Sequence, residues 1–205
     1  MFNARNIMLL LWQLPALSGS AQQALPLMNP SFEGLPMCCE APRGWMDCGS
    51  YEESPPDIQP GSFLVSLPAA DGKTYLGLVV RDNGSSEKVA QILDWKLQQD
   101  STYTFRAALA HSAKFLSISR KSGGEANYTT PVVLKIWGSE GDCLKTELLA
   151  VSKPIANTEW QYFEFELTPN AADYSWIILE ADFNPALSKF YNGNLLIDDI
   201  SITKK

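Results

Sequence analysis

The stretch Gly193-Asn194-Leu195-Leu196-Ile197-Asp198-Asp199-Ile200-Ser201-Ile202 decides how this chain is read. Gly193-Asn194 has the composition of a turn, and residues 195–202 have that of a strand. A strand sends alternate side chains to opposite faces. Leu196, Asp198, Ile200 and Ile202 then share one face, and Leu195, Ile197, Asp199 and Ser201 share the other. Asp198 falls in the more apolar row, where an uncompensated carboxylate is costly. Its partner is either a cation or a set of backbone N–H groups. The residues best suited to complete such a site are Asn29-Pro30-Ser31-Phe32-Glu33, read as part of a short first strand over 27–34.

Outward from this segment the strand signal repeats. Alternating or continuous apolar runs mark strands at 75–81, 89–93, 102–110, 132–137, 146–151, 160–167 and 176–183. Asp71-Gly72 and Asp82-Asn83-Gly84 punctuate them as turns. Residues 35–62, with Pro55-Pro56 and Pro60-Gly61 as breakers, read as a long loop, and Trp45 reads as a core plug within it. Residues 111–130 read as a polar connection centred on Gly123-Gly124. No segment has a convincing amphipathic helical period. Many short strands between turn signals predict an all-β fold, a two-sheet antiparallel β-sandwich of the jelly-roll kind. One domain is expected over 22–205.

The 205 residues carry a net charge of −7, with 19% charged and 11% aromatic residues. The negative balance excludes a broad basic surface for nucleic acid or anionic lipid, and the composition is not that of a disordered chain. Arg5, the apolar run 7–17 and the small residues Ser18, Gly19, Ser20 and Ala21 form a signal-peptide pattern with cleavage after Ala21. The run is short for a membrane span. The expected location is secreted, periplasmic or at the cell surface. Export makes Cys38, Cys39, Cys48 and Cys143 disulfide candidates. A bond between the neighbours Cys38 and Cys39 would be strained, so the expected connectivity joins Cys48 to one of them and Cys143 to the other. A zinc site is the rival reading, set against the lack of a C-x-x-C unit and the single histidine.

The faces of the strands turned away from the core offer Arg81, Gln91, Arg106, Lys135, Trp137, Tyr162, Glu164, Trp176 and Glu180. If one sheet carries most of them, its open face is aromatic and polar together. Sugar rings present C–H faces that suit aromatic planes, and hydroxyl edges that suit charged or amide groups. The alternative is an ordinary solvated sheet face. Catalysis has less to rest on. His111 is the only histidine, and no G-x-S-x-G surrounds a serine. Glu164 and Glu180 are the candidate acid/base pair for glycoside hydrolysis, although carboxylates beside Arg81, Arg106 and Lys135 also read as salt-bridged. There is no phosphate-cradling glycine loop.

Asn29-Pro30-Ser31-Phe32-Glu33, Gly44-Trp45, Asp71-Gly72 before Tyr75-Leu76-Gly77-Leu78, and Leu196-Ile197-Asp198-Asp199-Ile200 together resemble galactose-binding-like jelly rolls. These include carbohydrate-binding modules attached to bacterial glycanases. Residues 75–83 and 134–150 also look similar to domains of secreted and cell-surface proteins of the Bacteroidetes. The resemblance implies a β-sandwich with one structural calcium. It assigns the side chains of Glu33 and Asp198, the carbonyl of Ser31 and that of Lys73 or Thr74 as the ligands. It also implies glycan binding on the concave sheet face or on edge loops. The expected function is an exported, non-catalytic carbohydrate-binding module. The alternative is a structural or adhesion protein of the cell envelope with a protein partner, and a glycoside-active enzyme stands third.

Overall fold

The computed structural model describes residues 24–205, so the signal segment 1–21 lies outside the described residues. The strands are β1 (Ala24–Leu25), β2 (Met46–Asp47), β3 (Asp57–Gln59), β4 (Tyr75–Val80), β5 (Lys88–Leu97), β6 (Tyr103–Ala110), β7 (Leu116–Ile118), β8 (Glu125–Asn127), β9 (Val133–Ser139), β10 (Glu147–Val151), β11 (Gln161–Leu167), β12 (Tyr174–Asp182) and β13 (Gly193–Lys204). Among the described residues the only helical element is a 3-10 turn at Ser62–Leu64. No helix there is long and apolar enough to cross a membrane.

Eleven of the strands form two sheets packed face to face, and β7 and β8 form a separate two-stranded hairpin. Sheet A runs β11-β6-β13-β4-β3, with β1 added on β13, and sheet B runs β10-β9-β12-β5-β2. Every pairing is antiparallel. The fold is the all-β sandwich that the strand pattern implies. Its core interleaves Leu76, Leu78, Phe105, Ala107, Leu195 and Ile197 of sheet A with Val89, Leu134, Ile136, Ile177 and Leu179 of sheet B. Each is buried because period-two alternation aims it at the facing sheet.

The closing strand departs from simple alternation. Asp198 pairs with Ala108 and Ser201 with Arg106, so β13 holds one extra residue there. Asp199 takes a left-handed φ of 43° at this bulge. A bulge resets the facing of everything beyond it. Leu196 therefore faces outward, while Ile200 and Ile202 turn inward to join Leu195 and Ile197 in the main core. The expected apolar row of Leu196, Asp198, Ile200 and Ile202 is corrected accordingly.

The expected first strand over 27–34 is also corrected. Asn29 and Phe32 have positive φ, and the Phe32 amide donates to the Asn29 carbonyl at 3.1 Å. This is a turn, tightened by Asn29 Oδ1, which accepts from the Glu33 amide at 2.7 Å. The strand that pairs with the chain's end lies earlier, Ala24 opposite Thr203 and Leu25 opposite Ile202. The turn still meets β13, because Ile200 N donates to Pro30 O at 3.0 Å. Phe32 is fully buried and packs on Trp45, ring centroids 5.2 Å apart.

Sheet A does not face solvent over its whole outer side. The β7–β8 hairpin and the segment around Phe63–Leu67 close over Tyr75, Val79, Ala110 and Leu196, forming a second small core with Phe115 and Tyr128. Asn194 pins this cap from inside, accepting from Ser112 N at 2.7 Å and donating to Tyr128 O at 2.6 Å.

The disulfide joins Cys48 to Cys143, and Cys38 and Cys39 are free and exposed. The expected connectivity is corrected for a topological reason. Cys48 follows β2 on the edge of sheet B, and the β9–β10 loop folds back over that same sheet. Cys38 and Cys39 sit against β3 of sheet A, held by the Met37–Ile58 bridge and by Cys39 N donating to Asp57 Oδ1 at 3.0 Å. The bond spans 95 residues, a loop whose closure removes much entropy from the unfolded chain. Replacing both Cys48 and Cys143 with Ala is expected to lower stability by about 2–4 kcal/mol. Guanidinium unfolding checks this, and an unchanged midpoint would refute it.

Candidate functional site

The nine residues proposed for one open face do not share one. Lys135, Trp137, Trp176 and Glu180 stand on the outer side of sheet B. Arg106, Tyr162 and Glu164 stand on the outer side of sheet A, where Glu164 pairs with Arg106 across the ladder. Gln91 is buried on the core side, its Nε2 donating to Met28 O at 2.7 Å and Gly44 O at 3.1 Å. It fastens the N-terminal segment and lines no open face. Arg81 is buried beneath the cap of sheet A, 3% exposed. Glu164 and Glu180 project from opposite sides of the sandwich, so they do not form an acid/base pair across one scissile bond. His111 hydrogen-bonds through Nδ1 and its backbone amide to Asn157 O, at 3.1 and 2.9 Å.

Sheet B holds the more developed surface. Trp137 Nε1 donates to Glu180 Oε2 at 2.8 Å. Lys145, from the β9–β10 loop, reaches both Glu180 oxygens at 2.9 and 3.2 Å. Its Nζ lies 5.0 Å from the Trp137 ring centroid, and Lys135 Nζ lies 5.9 Å from it while pairing with Asp182. Glu180 is 3% exposed, so its charge depends on Lys145 and the indole N–H. The loop that supplies Lys145 is tethered by the disulfide and lies over Ala90 and Ile178, with Trp137 and Trp176 at its margins. Lys145 escapes a strand-face inventory because it belongs to a loop, and only the fold brings it to the face.

On sheet A the Arg106 guanidinium stacks 3.4 Å from the Tyr162 ring centroid. Tyr162 OH donates to Asp199 Oδ2 at 2.7 Å, and Arg106 lies 3.6 Å from the same oxygen. The bond to Asp199 raises the Tyr162 phenol. The bulge presents Asp199 to this pair.

The acidic residues assigned to a cation gather around the loop 70–74. Asp198 Oδ2 accepts from Ala70 N at 2.8 Å and Asp71 N at 3.0 Å, and its Oδ1 accepts from Asp199 N at 2.8 Å. Glu33 Oε1 accepts from Lys73 N at 2.8 Å and Thr74 N at 3.2 Å. Ser31 Oγ donates to Asp71 Oδ2 at 2.8 Å. Gly72, at φ 65°, is required here, because a Cβ would sit 2.0 Å from Glu33 Oε1. Backbone N–H groups thus partner both carboxylates. Among the described residues no three His, Cys, Asp or Glu side chains converge on one point. Burial pushes the Asp198 carboxyl up to about 6 against the pull of its three amides, with the charge of Asp71 adding to the rise.

No protein-family profile matches the sequence, and no curated protein is similar to it. Solved structures do match. The chain is similar to a cyclase from Fischerella sp. TAU, with 10% identity, TM-score 0.60, and 90% of this chain and 98% of that one covered. A second structure of a cyclase from the same organism, in complex with 4-(1H-indol-3-yl)butan-2-one, matches with 11% identity and TM-score 0.58, covering 89% and 98%. An arabinose-bound α-L-arabinofuranosidase matches with 15% identity and TM-score 0.52, covering 91% of this chain and 27% of that one. These likenesses show the fold. Structures with CBM22 and CBM4 modules also match, at TM-scores of 0.46 and 0.45, too distant to carry an argument.

One polar cluster has most of its members outside the proposed surface residues. Arg81 Nη2 donates to Ser54 Oγ at 2.9 Å and pairs with Glu87, and Arg81 Nε lies 3.4 Å from Glu53 Oε2. Arg120 Nε reaches that same Glu53 oxygen at 2.7 Å. Asp57 lies close by, 5% exposed. Burial pushes the Glu87 carboxyl up against the pull of Arg81. It also pushes Asp57 up to about 6, against the Cys39 amide, Gln59 and Arg81. The available signal was the unbroken run Leu76-Gly77-Leu78-Val79-Val80, which marks a strand covered on both faces and so a buried Arg81 after it.

The folded chain holds the Asp57 proton more tightly than the unfolded chain does. That contribution is complete below the unfolded value near 4 and is lost as pH rises through about 6. Relative to the natural chain, Asp57→Asn should gain up to about 3 kcal/mol between about pH 4 and about pH 7.5. Urea unfolding of both proteins across that range checks this, and parallel stability curves would refute it.

Proposed function

We propose that the protein is an exported, non-catalytic carbohydrate-binding module, and that it recognises glycan on the outer face of sheet B. The observation that carries the reading is Trp137, an indole oriented by its bond to Glu180 and flanked by two lysines. A fixed ring offers a stacking plane, and Lys135, Lys145 and Asp182 offer donors and acceptors at its rim. Trp176, facing the same side, supplies a second plane. The Cys48–Cys143 disulfide suits an oxidising, extracytoplasmic compartment. Trp137→Ala should weaken glycan binding by roughly tenfold or more, and Glu164→Gln, on the opposite sheet, should leave it unchanged. A glycan array with purified protein, followed by titration of the hits, checks both. A blank array with well-folded protein would refute the reading.

A protein partner at the cell envelope is the second reading. It is favoured by Met46, Ile92, Leu148 and Val151, each more than 40% exposed on or beside the same face. Co-purification of one envelope protein, lost on substitution of Ile92 and Leu148 by Ser, would select it.

The reading includes a structural calcium at the loop 70–74. The residues proposed to hold it are Glu33 and Asp198 through their carboxylates and Ser31 and Lys73 or Thr74 through their carbonyls; Glu33 Oε1 and both Asp198 oxygens also accept amides, so the ion would share those oxygens with the backbone. A cation there would pull the raised Asp198 carboxyl back down, so binding should weaken as pH falls through about 6. Calcium added after chelation should raise the melting temperature at neutral pH and do little near pH 5. Equal melting curves with calcium and with chelator would refute it.

A further inference from the structure

The chain has four cysteines, and the Cys48–Cys143 bond takes two of them. Cys38 and Cys39 are left free and exposed, so each has only the other as a partner within the chain. An unpaired cysteine is usually a buried, inert one. These two stand at the edge of sheet A, beside β3.

The backbone on either side of them is fixed. Met37 and Ile58 exchange two amide bonds of 2.9 Å, and Glu40 N donates to Pro56 O at 2.8 Å. Cys39 N donates to Asp57 Oδ1 at 3.0 Å. Between those anchors the chain takes three steps from Met37 to Glu40 while the facing segment takes two from Ile58 to Pro56. One residue therefore bulges, and Cys39 has a left-handed φ of 68°. In a regular strand neighbouring side chains point to opposite faces. A bulge re-aims a side chain, and here the two thiols meet in a hydrogen bond. A non-glycine residue in that region is strained, and such residues gather at functional sites. Partial loss of water, the hydrogen bond and charge of Cys38, and the charges of Asp57 and Glu87 push the Cys39 thiol up to about 12. The thiolate is the attacking species, so Cys39 is held back as the second thiol to react.

We propose that Cys38 and Cys39 form a redox-active dithiol, oxidised to a vicinal disulfide by a small-molecule disulfide. The Cys38 sulfur displaces one half of that molecule and becomes a mixed disulfide. The Cys39 sulfur then displaces the other half and closes the Cys38–Cys39 bond. Each attacking thiol gives up one proton, and each departing thiolate takes one up. Two protein thiols are oxidised, and one small disulfide is reduced to two thiols. The new bond joins neighbours whose Cα atoms are about 3.8 Å apart, against roughly 4.4–6.8 Å in an ordinary disulfide. Strain and exposure make a disulfide easy to reduce. The pair therefore cycles under conditions in which Cys48–Cys143 stays closed. It lies on sheet A and does not depend on the reading of sheet B.

The test is mass spectrometry of the purified chain equilibrated in mixtures of reduced and oxidised glutathione, quenched in acid and labelled with N-ethylmaleimide under denaturing conditions. The peptide holding Cys38 and Cys39 should carry two labels at the reducing end of the series. At the oxidising end it should carry none and be lighter than the dithiol peptide by two hydrogens. It should open at a glutathione ratio at least about tenfold more oxidising than the one that opens Cys48–Cys143. Cys39→Ser should stop at a glutathione adduct on Cys38, and Cys38→Ser should gain its adduct on Cys39 more slowly, by roughly tenfold or more. Trp137→Ala should leave closure of the pair unchanged. Two labelled thiols across the whole series, glutathione retained on both sulfurs, or a dimer linked through either cysteine would overturn the proposal. So would opening only together with Cys48–Cys143, or equal rates in the two single variants. Should the pair close while the glycan array is blank, this site stands and only the sheet B reading fails.

Discussion

A carboxylate with no exposed surface must find its donors within the chain, and Asp198 takes three amide hydrogens. Two come from the loop 70–74 and one from the next residue of its own strand. Glu33 holds the other end of the same loop. The loop that leads into β4 is therefore clamped between the start and the end of the described chain. The bulge at Asp199 turns Ile200 and Ile202 back into the core just beyond the clamp. Without that extra residue, continued alternation would aim both isoleucines at solvent and withdraw them from the facing sheet.

The two sheets cover their outer faces differently, and that difference sorts the polar residues. Sheet A is roofed by a hairpin and a strained segment, so β4 is buried on both sides and Arg81 beneath the roof has no exposed surface to speak of. Sheet B is crossed by a disulfide-tethered loop that covers its centre and leaves Trp137 and Trp176 at the margins. Aromatic and charged residues of similar spacing thus stand at an exposed margin in one place and in a buried network in another. Burial of charge is expensive in both. Glu180 is balanced by Lys145 and an indole N–H, and Glu87 by Arg81 and the Val79 amide.

Much of the architecture is legible in the residues. Alternation located the major strands, the turn dipeptides separated them, and the lack of any helical period excluded an α/β fold. The demand of Asp198 for partners was legible too, because a carboxylate inside a mostly apolar strand needs compensation wherever the strand is buried, although the bulge moves Ile200 and Ile202 off its face. The choice between a cation and backbone amides was not, since a carboxylate oxygen accepts either. The disulfide was illegible for a related reason. Cys48 and Cys143 are 95 residues apart in sequence, and their meeting depends on a loop folding back across a sheet, which no local spacing encodes.

By itself the sequence determined the layer architecture, because that follows from side-chain period, and it marked Asp198 as a carboxylate in need of partners; the clamp on the loop 70–74 came only with the fold. Tertiary structure decided which face each polar residue reached. A bulge, a roof and a tethered loop each redirect side chains without any change in their local pattern, as Gln91, Arg81 and Lys145 show. Burial is a property of what packs on a strand from elsewhere in the chain, and only the assembled sandwich contains that information.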